Sequence, residues 1–467
     1  MSSRTDGAAP RRDDVASPAA RPPIDPLFAA LALAALLVRV AALLAVGFNP
    51  AYFDVDGYHG CALAGLSGAP IPTDHHPPGT AFAIQLFYAV AGVRPRLFLA
   101  AQAVLGALAC FLVADAAGRT MGRRAGLLAG ALLAFNPYAV LATAALASEN
   151  LALPAFALFV WLLARDLPSV PFARLVAAAL VVSAMGLVRS ALLAVALPLA
   201  LVPVLGLARR PETLRRRLAA GALLLAISFS GPLAYGLHRA RRTGVLRLGS
   251  PNDVYNLWVG NNPHATGRIQ AMPGLPPPDL GREEVARILA PRVKEFLLRH
   301  PGRQVPLLLR RLSHNLAPPK RDLIYIYGHG WAGERSPGVV LTAYAAAALS
   351  FPFLGALVLL AFARSGRCLP FLAGIAIASA ALVPYLLAIG DARYLLPAYP
   401  ALCLAAGALA AAKVPSPWSR SRRLAAALLA VLFFGNAARD VALTDPALRA
   451  VSAPGGSSLD PPYDLAW

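Results

Sequence analysis

Long runs of apolar residues set the strongest limit on what this chain can fold into. They are about 15–25 residues long and recur along most of the 467 residues, separated by short basic links. A helix needs about 20 such residues to cross a bilayer, and inside lipid every backbone polar group must be bonded within the segment. Only 14% of the residues are charged, against about 25% in a typical soluble domain. The pattern predicts an all-α polytopic membrane protein.

Eleven apolar runs are predicted to span the membrane. They lie near residues 27–48, 97–117, 125–145, 149–164, 174–188, 190–207, 218–237, 338–363, 369–389, 394–412 and 424–438. The run 79–92 is shorter, so we interpret it as a juxtamembrane or re-entrant helix. These positions divide the chain into a disordered cytosolic tail (1–26), an N-terminal bundle with a first loop (27–237, with the loop at 49–96), a long loop (238–337), C-terminal spans (338–438) and a tail (439–467).

Basic residues in the short links orient the predicted spans. With the N-terminus in the cytoplasm, arginine and lysine cluster in the inside links at 119–124, 165–174, 209–217, 364–367 and 413–423. This distribution agrees with the positive-inside rule, whereas counting 79–92 as a crossing would reverse it. The first loop, the turn near Glu149, the long loop and the turn at 391–393 are therefore predicted to face outward.

The net charge of +20 does not indicate nucleic-acid binding, because much of it lies in these topology-setting links. The remainder lies in the long loop and suits anionic membrane lipids as partners. That loop is predicted to contain one amphipathic helix, which should lie on the membrane surface. The residues of its apolar face are Val285, Ile288, Leu289, Val293, Phe296 and Leu297.

Two groups of polar residues stand out in the first loop. Asp54 and Asp56 follow the first span, where partial desolvation would suit a general base, although an Asx-type helix cap is the plainer interpretation. His75 and His76 lie beside an aspartate and could bind a metal, but two ligands are too few. The alternative for the histidines is a Pro-Pro-Gly turn that begins a juxtamembrane helix.

Ionisable residues also mark the ends of later spans. Glu149 lies at the mouth of a span, where it is either a functional residue or part of a helix start capped by Ser148. Arg189 and Arg393 each suit a specific phosphate or the head groups of bulk lipid. Arg39 lies inside the first span and either faces the bundle or reaches a polar neighbour.

Taken in order along the chain, these motifs resemble bacterial membrane glycosyltransferases of the GT-C fold, in the branch related to protein mannosyltransferases and the lipid A aminoarabinose transferase. The resemblance runs from about residue 27 to 412. Its motifs are Asp54-x-x-x-Tyr58, His76-Pro-Pro-Gly79, Ser148-Glu149, Leu187-Val-Arg189, Tyr255-Asn-Leu-Trp-Val-Gly-Asn-Asn-Pro263 and Arg393-Tyr394-Leu-Leu-Pro397. The resemblance implies a GT-C helical bundle with about 11 spans, outer juxtamembrane helices and one long outer loop.

The resemblance also implies a mechanism in which a sugar passes from a polyprenyl-phosphate donor to an acceptor hydroxyl on the outer face. A first-loop carboxylate would act as base and the anomeric carbon would invert. The implied roles are Asp54 or Asp56 as base, Glu149 positioning acceptor or sugar, Arg393 and Arg189 on the leaving phosphate, Asn261 and Asn262 on the sugar, and Tyr58, His75, His76 and Tyr394 lining the substrate site. The chain departs from the family with Val55 in its Asp-Glu pair and His76 in place of arginine.

Several alternatives stay open at this point. A lipid or polysaccharide transporter would place paired broken helices and charges at mid-membrane, and a non-catalytic protein of the same fold would tolerate loss of Asp54. The sugar is not specified, and the acceptor is a glycan, a lipid or a protein. No cofactor is certain, and a divalent metal is left open without a ligand set. The expected location is the bacterial inner membrane, with the active site outside the cytoplasm.

Overall fold

The structure is a computed structural model, which describes most of the chain. The described residues are 24–46, 53–69, 76–209, 213–268, 275–277, 280–318, 337–365, 368–411 and 420–452. Of residues 53–56, which include Asp54 and Asp56, only the backbone is described, and His75 lies outside the described residues. Throughout the described part the secondary structure is helical, apart from a single isolated bridge between Val170 and Ala208.

The helices follow the apolar runs of the sequence closely. In chain order they are α1 Pro26–Val46, α2 Phe53–Leu66, α3 Gly79–Ala91, α4 Pro95–Met121, α5 Arg123–Ala134, α6 Pro137–Ala142, α7 Ser148–Ala164, α8 Phe172–Val188, α9 Ala196–Val204, α10 Leu214–Thr243, α11 Pro251–Gly260, α12 Arg282–Arg299, α13 Pro301–Asn315, α14 Pro337–Ser365, α15 Leu369–Leu387, α16 Tyr399–Gly407 and α17 Arg420–Ser452. Three 3₁₀ segments, Ser190–Val195, Ala392–Ala398 and Ala408–Ala410, adjoin α9 and α16.

Six stretches in the described part are long and apolar enough to cross a membrane. They are Pro26–Ala45, Pro95–Met121, Leu214–Thr243, Ala345–Arg364, Leu369–Leu387 and Ala392–Ala410. Shorter apolar helices follow the predicted spans 149–164, 174–188, 190–207 and 424–438. The helix α3 has only 13 residues, in line with the interpretation of run 79–92 as a short helix. The prediction of an all-α polytopic membrane protein is confirmed. The number of crossings and their orientation stay predictions.

One predicted span is not a continuous helix. The run 125–145 is broken at Phe135 and Asn136, where α5 ends and α6 begins with Pro137. Proline disfavours a helical conformation in the residue before it, and Asn136 caps the new helix by accepting a hydrogen bond from the Ala139 amide at 3.0 Å. The predicted boundaries were wrong here because the Asn-Pro pair outweighs the apolar pattern.

Arg39 compensates for this break. Its side chain is 1% exposed, faces the bundle, and donates to the Ala134 and Leu133 carbonyls at 3.2 and 3.3 Å. These carbonyls belong to the last turn of α5, which lacks partners further along the helix. A broken helix is tolerated in a membrane when a neighbour bonds the freed backbone groups. Of the two possibilities for Arg39, the structure therefore shows that it faces the bundle.

In its described residues the long loop contains the helices α11, α12 and α13, where one helix was predicted. In α12 the residues Val285, Leu289, Val293 and Phe296 are buried, and the helix packs against α11. The predicted apolar face is therefore real over most of its length, but it faces protein. The expectation that it lies on the membrane surface was wrong, because α11 was not recognised as its partner. An exposed apolar face is found instead on α13.

Candidate active site

Three charged side chains from distant parts of the chain meet at one end of the bundle. Glu149 lies in the first turn of α7, Arg189 directly follows α8, and Arg393 lies in the 3₁₀ segment after α15. The Glu149 Oε1 atom is 2.7 Å from Arg189 Nη1 and 3.8 Å from Arg393 Nε. All three side chains are at least four-fifths buried. Two guanidinium groups therefore converge on a single carboxylate oxygen.

The local fold fixes the position of Glu149. Ala147 is the N-cap of α7 and its side chain makes no cap, so the interpretation of Ser148 as the cap was wrong. Ser148 instead donates to Glu149 Oε2 at 3.1 Å. Asn150 donates to the carbonyls of Ala142 and Ala145 at 2.6 and 2.7 Å, which ties the helix start to the preceding turn. The positive end of the helix dipole also favours a carboxylate at this position.

Two stacked tyrosines form the floor of the cluster. The rings of Tyr385 and Tyr394 are 4.5 Å apart and 14° from parallel. The guanidinium carbon of Arg189 lies 4.9 Å from the centre of the Tyr394 ring and 5.8 Å from that of Tyr385, and Arg393 lies 5.2 Å from Tyr394. Such cation–π contacts orient arginines and grow stronger where water is excluded. Tyr394, predicted to line the substrate site, thus contacts both arginines.

Asp253 adds a partly buried carboxyl group, which the sequence did not reveal as part of the site. Its Oδ2 atom accepts from Ser190 Oγ at 2.8 Å and from the Ser250 amide at 3.1 Å. Burial raises the pKa of Asp253, and the hydrogen bonds from Ser190 and Ser250 oppose that rise. The group completes a capping box at the start of α11 and ties this helix to the residue after Arg189. The Ser-x-x-Asp spacing would have predicted the helix start but not the contact.

The first loop lies at the same end of the bundle. Gly79, at the start of α3, packs so closely on α8 that an added Cβ would lie 2.7 Å from the backbone of Leu187 and Val188. Just before it, His76 packs its ring on Tyr58 with 4.5 Å between centres. Tyr58 lies in α2, one turn after Asp54, which corresponds to about 6 Å along the helix axis. The first loop therefore contacts the residues that precede Arg189, and His76 links Tyr58, one turn from Asp54, to this contact.

A small cleft separates the first loop from the long loop. Its walls are formed by His76, Pro77, Pro78, Gly186, Leu187, Tyr235, Arg239, Leu248, Gly249 and Ser250. Arg239 is paired with Glu283 at 2.6 Å, and Glu283 also pairs with Arg247 at 2.9 Å. Through Ser250 the cleft adjoins the Asp253–Ser190 contact. His76 thus borders this cleft from the side of the first loop.

Asn261 and Asn262 lie at the end of α11 and are almost completely buried. The Asn261 amide donates to the carbonyls of Leu257 and Leu387 at 2.8 and 2.7 Å. Asn262 donates to Trp258 and Val259 and accepts from the His264 amide. Both side chains hold backbone in this structure, and their contact with a sugar stays a prediction.

Metal ligands do not gather in the described part of the chain, where no group of three or more His, Cys, Asp or Glu side chains is arranged to hold an ion. Asp74 and His75 lie outside the described residues, and the side chains of Asp54 and Asp56 are likewise not described. The possibility of a divalent metal therefore stays as the sequence left it.

Fold and site together define a polytopic helical membrane protein with a buried arginine–carboxylate cluster at one end of its bundle. Residues 75–235, about a third of the chain, match the family model described as dolichyl-phosphate-mannose-protein mannosyltransferase. The matched segment contains His76, Glu149 and Arg189. The match confirms the resemblance to GT-C glycosyltransferases that the motifs predict.

Two solved structures resemble the chain at low sequence identity. ArnT from Cupriavidus metallidurans, solved bound to undecaprenyl phosphate, is 18% identical with a TM-score of 0.44, and the match covers 87% of this chain and 63% of ArnT. The oligosaccharyltransferase AglB from Archaeoglobus fulgidus, solved with an inhibitory peptide and a dolichol-phosphate, is 14% identical with a TM-score of 0.42, covering 92% of this chain and 56% of AglB. The chain thus spans less than two thirds of either protein. The search of curated protein sequences gave no match.

Proposed function

We propose that this protein is a membrane glycosyltransferase. It transfers a sugar from a polyprenyl-phosphate donor to an acceptor hydroxyl on the extracytoplasmic face of a bacterial inner membrane. The single observation that carries the proposal is the convergence of Arg189 and Arg393 on Glu149 at the end of an apolar bundle. The family match over the segment that contains Glu149 and Arg189 supports the same class of reaction.

Arg189 and Arg393 are assigned to the phosphate of the donor. When the bond between the anomeric carbon and the phosphate oxygen breaks, the leaving lipid phosphate gains negative charge. Guanidinium groups match phosphate oxygens in shape and charge, and preorganised cations stabilise such developing charge without reorganisation. The stacked tyrosines and the shared carboxylate hold both arginines before the donor arrives, and a lipid anchor would bring the phosphate to the end of the bundle.

The base is assigned to the first loop rather than to Glu149. Glu149 already accepts from Ser148 and pairs with two arginines, so we give it the task of holding them. Asp54 and Asp56 lie in the first turn of α2, and neither is needed to hold the arginines. One of them takes the proton of the acceptor hydroxyl while its oxygen attacks the anomeric carbon from the face opposite the phosphate. The configuration at that carbon is then inverted.

His76 is assigned to the substrate-binding wall. Its ring lies against Tyr58 and borders the cleft next to Ser250, between the acidic turn of α2 and the arginine cluster. A protonated imidazole can contact a phosphate, and a neutral one can hydrogen-bond a hydroxyl. His76 would take over part of the role of the arginine that the related motif carries at this position.

The base is tested in membranes that contain the protein and a labelled polyprenyl-phosphate sugar. Transfer is compared between the wild type, Asp54→Asn, Asp56→Asn and the double variant. Removing the true base should lower the transfer rate at least ~10²-fold, the size of a general-base contribution. Asp25→Asn, at the opposite end of α1, is the matched control and should transfer normally. Normal turnover in both single variants and in the double variant would reject the assignment.

A further inference from the structure

Arg311 is a buried arginine in α13 that the proposed reaction does not use. Its side chain is 1% exposed and donates to the carbonyls of Leu386 and Gly260 and to Asn261 Oδ1, at 2.8 Å from Leu386 and 2.9 Å from Asn261. Among the described residues no carboxylate pairs with it. Burial lowers its pKa to about 10, so it stays charged at neutral pH. Its positive charge is therefore bonded by two backbone carbonyl oxygens and one side-chain amide oxygen.

These acceptors belong to two elements that are far apart in sequence. Gly260 and Asn261 end α11, whereas Leu386 lies in the last turn of α15. Asn261 reinforces the junction by donating to the Leu387 carbonyl at 2.7 Å. Arg311 thus joins the ends of α11 and α15 to α13. The rigid fork of guanidinium N–H groups lets one side chain bond all three acceptors at once.

The chain that leaves α15 passes through this junction with no spare room. A Cβ on Gly260 would lie 1.7 Å from the Ala388 carbonyl oxygen, and one on Gly390 would lie 2.6 Å from that of Arg311. The Gly390 amide donates to the Gly267 carbonyl at 2.8 Å. Glycine is required at both positions because the two backbones touch. The path of residues 388–390 is therefore fixed by α11 and α13.

Directly beyond this passage lies Arg393. The Asp391 amide donates to Asn315 Oδ1 at 3.4 Å, and Asn315 in turn donates to the Arg311 carbonyl at 2.8 Å. Asp391 Oδ1 then accepts from the Arg393 amide at 3.1 Å. A continuous series of contacts runs from the Arg311 backbone to the arginine that reaches Glu149.

We propose that Arg311, Asn261 and Asn315 form a clasp that positions Arg393 for the donor phosphate. Arg311 is a positioning residue in this account, since it acts on the phosphate only through the loop 388–393. The inference rests on the proposed function, in which Arg393 contacts the phosphate. It also gives the Gly-Asn-Asn string at the end of α11 a defined task, because Gly260 contacts Ala388 just after α15 and Asn261 bonds Leu387, the last residue of α15.

The clasp is tested in the full-length protein in lipid nanodiscs with three variants. Arg311→Lys keeps the charge but loses the fork, and Gly390→Ala displaces the loop without removing a polar group. Arg310→Lys changes the neighbouring exposed arginine and is the matched control. Hydrogen exchange of residues 388–394 reports the loop itself, and the Kd for undecaprenyl phosphate reports the phosphate site.

We expect faster exchange in this loop for Arg311→Lys and Gly390→Ala, with the membrane helices unchanged. The Kd for undecaprenyl phosphate should weaken about 10-fold in both, the equivalent of a lost hydrogen bond to a charged group. Arg310→Lys should change neither quantity. Unchanged exchange in both test variants would overturn the clasp, and changed exchange with an unchanged Kd would overturn its link to the phosphate. A wild type that does not bind undecaprenyl phosphate would instead overturn the proposed function.

Discussion

Glu149 is held between two guanidinium groups that come from different ends of the chain. Arg189 pairs with it at 2.7 Å and Arg393 approaches to 3.8 Å, while both also contact the Tyr394 ring. Without an anion at this point the two buried cations would repel each other. The carboxylate therefore stabilises the site, and a donor phosphate would be a second anion for the same pair.

Replacing Glu149 by glutamine should reveal this dependence. Breaking a buried ion pair by removing one partner costs about 3–5 kcal/mol, so Glu149→Gln should lower the unfolding temperature. Undecaprenyl phosphate should then raise that temperature more in the variant than in the wild type, because its phosphate replaces the lost anion. Thermal unfolding in nanodiscs with and without the lipid measures both effects, and Glu149→Asp is the control that keeps the charge. An equal increase in all three proteins would contradict the assignment of the arginines to phosphate.

At the residue scale the sequence singled out three side chains that the structure brings together, but it did not indicate how they meet. Glu149, Arg189 and Arg393 stood out because charges at the mouths of spans are costly and therefore informative. Their mutual contact depends on how α7, α8 and α15 pack, which no local pattern contains. Asp253 was missed because its spacing from Ser250 is that of an ordinary helix start. Arg311 was missed because it is one of several basic residues in a long loop.

Within the long loop, α13 carries an exposed apolar face in the described part of the chain. Val305 and Leu309 are 64% and 59% exposed, and Leu308 lies beside them. Near the other end of the helix the Asn436 amide donates to the Ser313 carbonyl at 2.8 Å, which ties α13 to the apolar helix α17. A helix fixed to a predicted span in this way should rest on the bilayer with its apolar face in the lipid.

Spin labels test the placement of α13. A nitroxide at Leu309→Cys should collide with oxygen, which concentrates in lipid, more than with a water-soluble nickel complex. The matched position is Lys294→Cys on the exposed face of α12, where the preference should be reversed. Both labels are read in nanodiscs by power saturation. A label at position 309 that is as accessible to nickel as the one at 294 would contradict the lipid contact.

The elements themselves could be predicted from apolar runs, since helix length in a membrane is set by bilayer thickness. What could not be predicted was how long segments divide internally. The break between α5 and α6 needs both the Asn-Pro pair and Arg39 to bond the freed carbonyls, and these lie almost 100 residues apart. The partner of the apolar face of α12 was missed because α11 had not been recognised as a helix.

Across the whole molecule, the residues assigned to the reaction lie at one end of the bundle. Gly79 brings the first loop against α8 next to Arg189, and the clasp brings the segment after α15 to Glu149. Basic links are predicted at the other end, where the positive-inside rule places the cytoplasm. The general fold followed from composition and periodicity. The contact of the first loop with the end of α8 required the tertiary structure, because more than 100 residues separate Gly79 from Leu187.

The proposed reaction requires that the acidic turn of α2 and the arginine cluster face the same compartment. Single cysteines at Asp56, Asp391 and Arg209 in a cysteine-free background, treated with a membrane-impermeant maleimide in intact cells, measure this directly. Positions 56 and 391 should react in intact cells, and position 209 only after the membrane is opened. Reaction of 56 and 391 from opposite sides of the membrane would separate base from phosphate site and contradict the account.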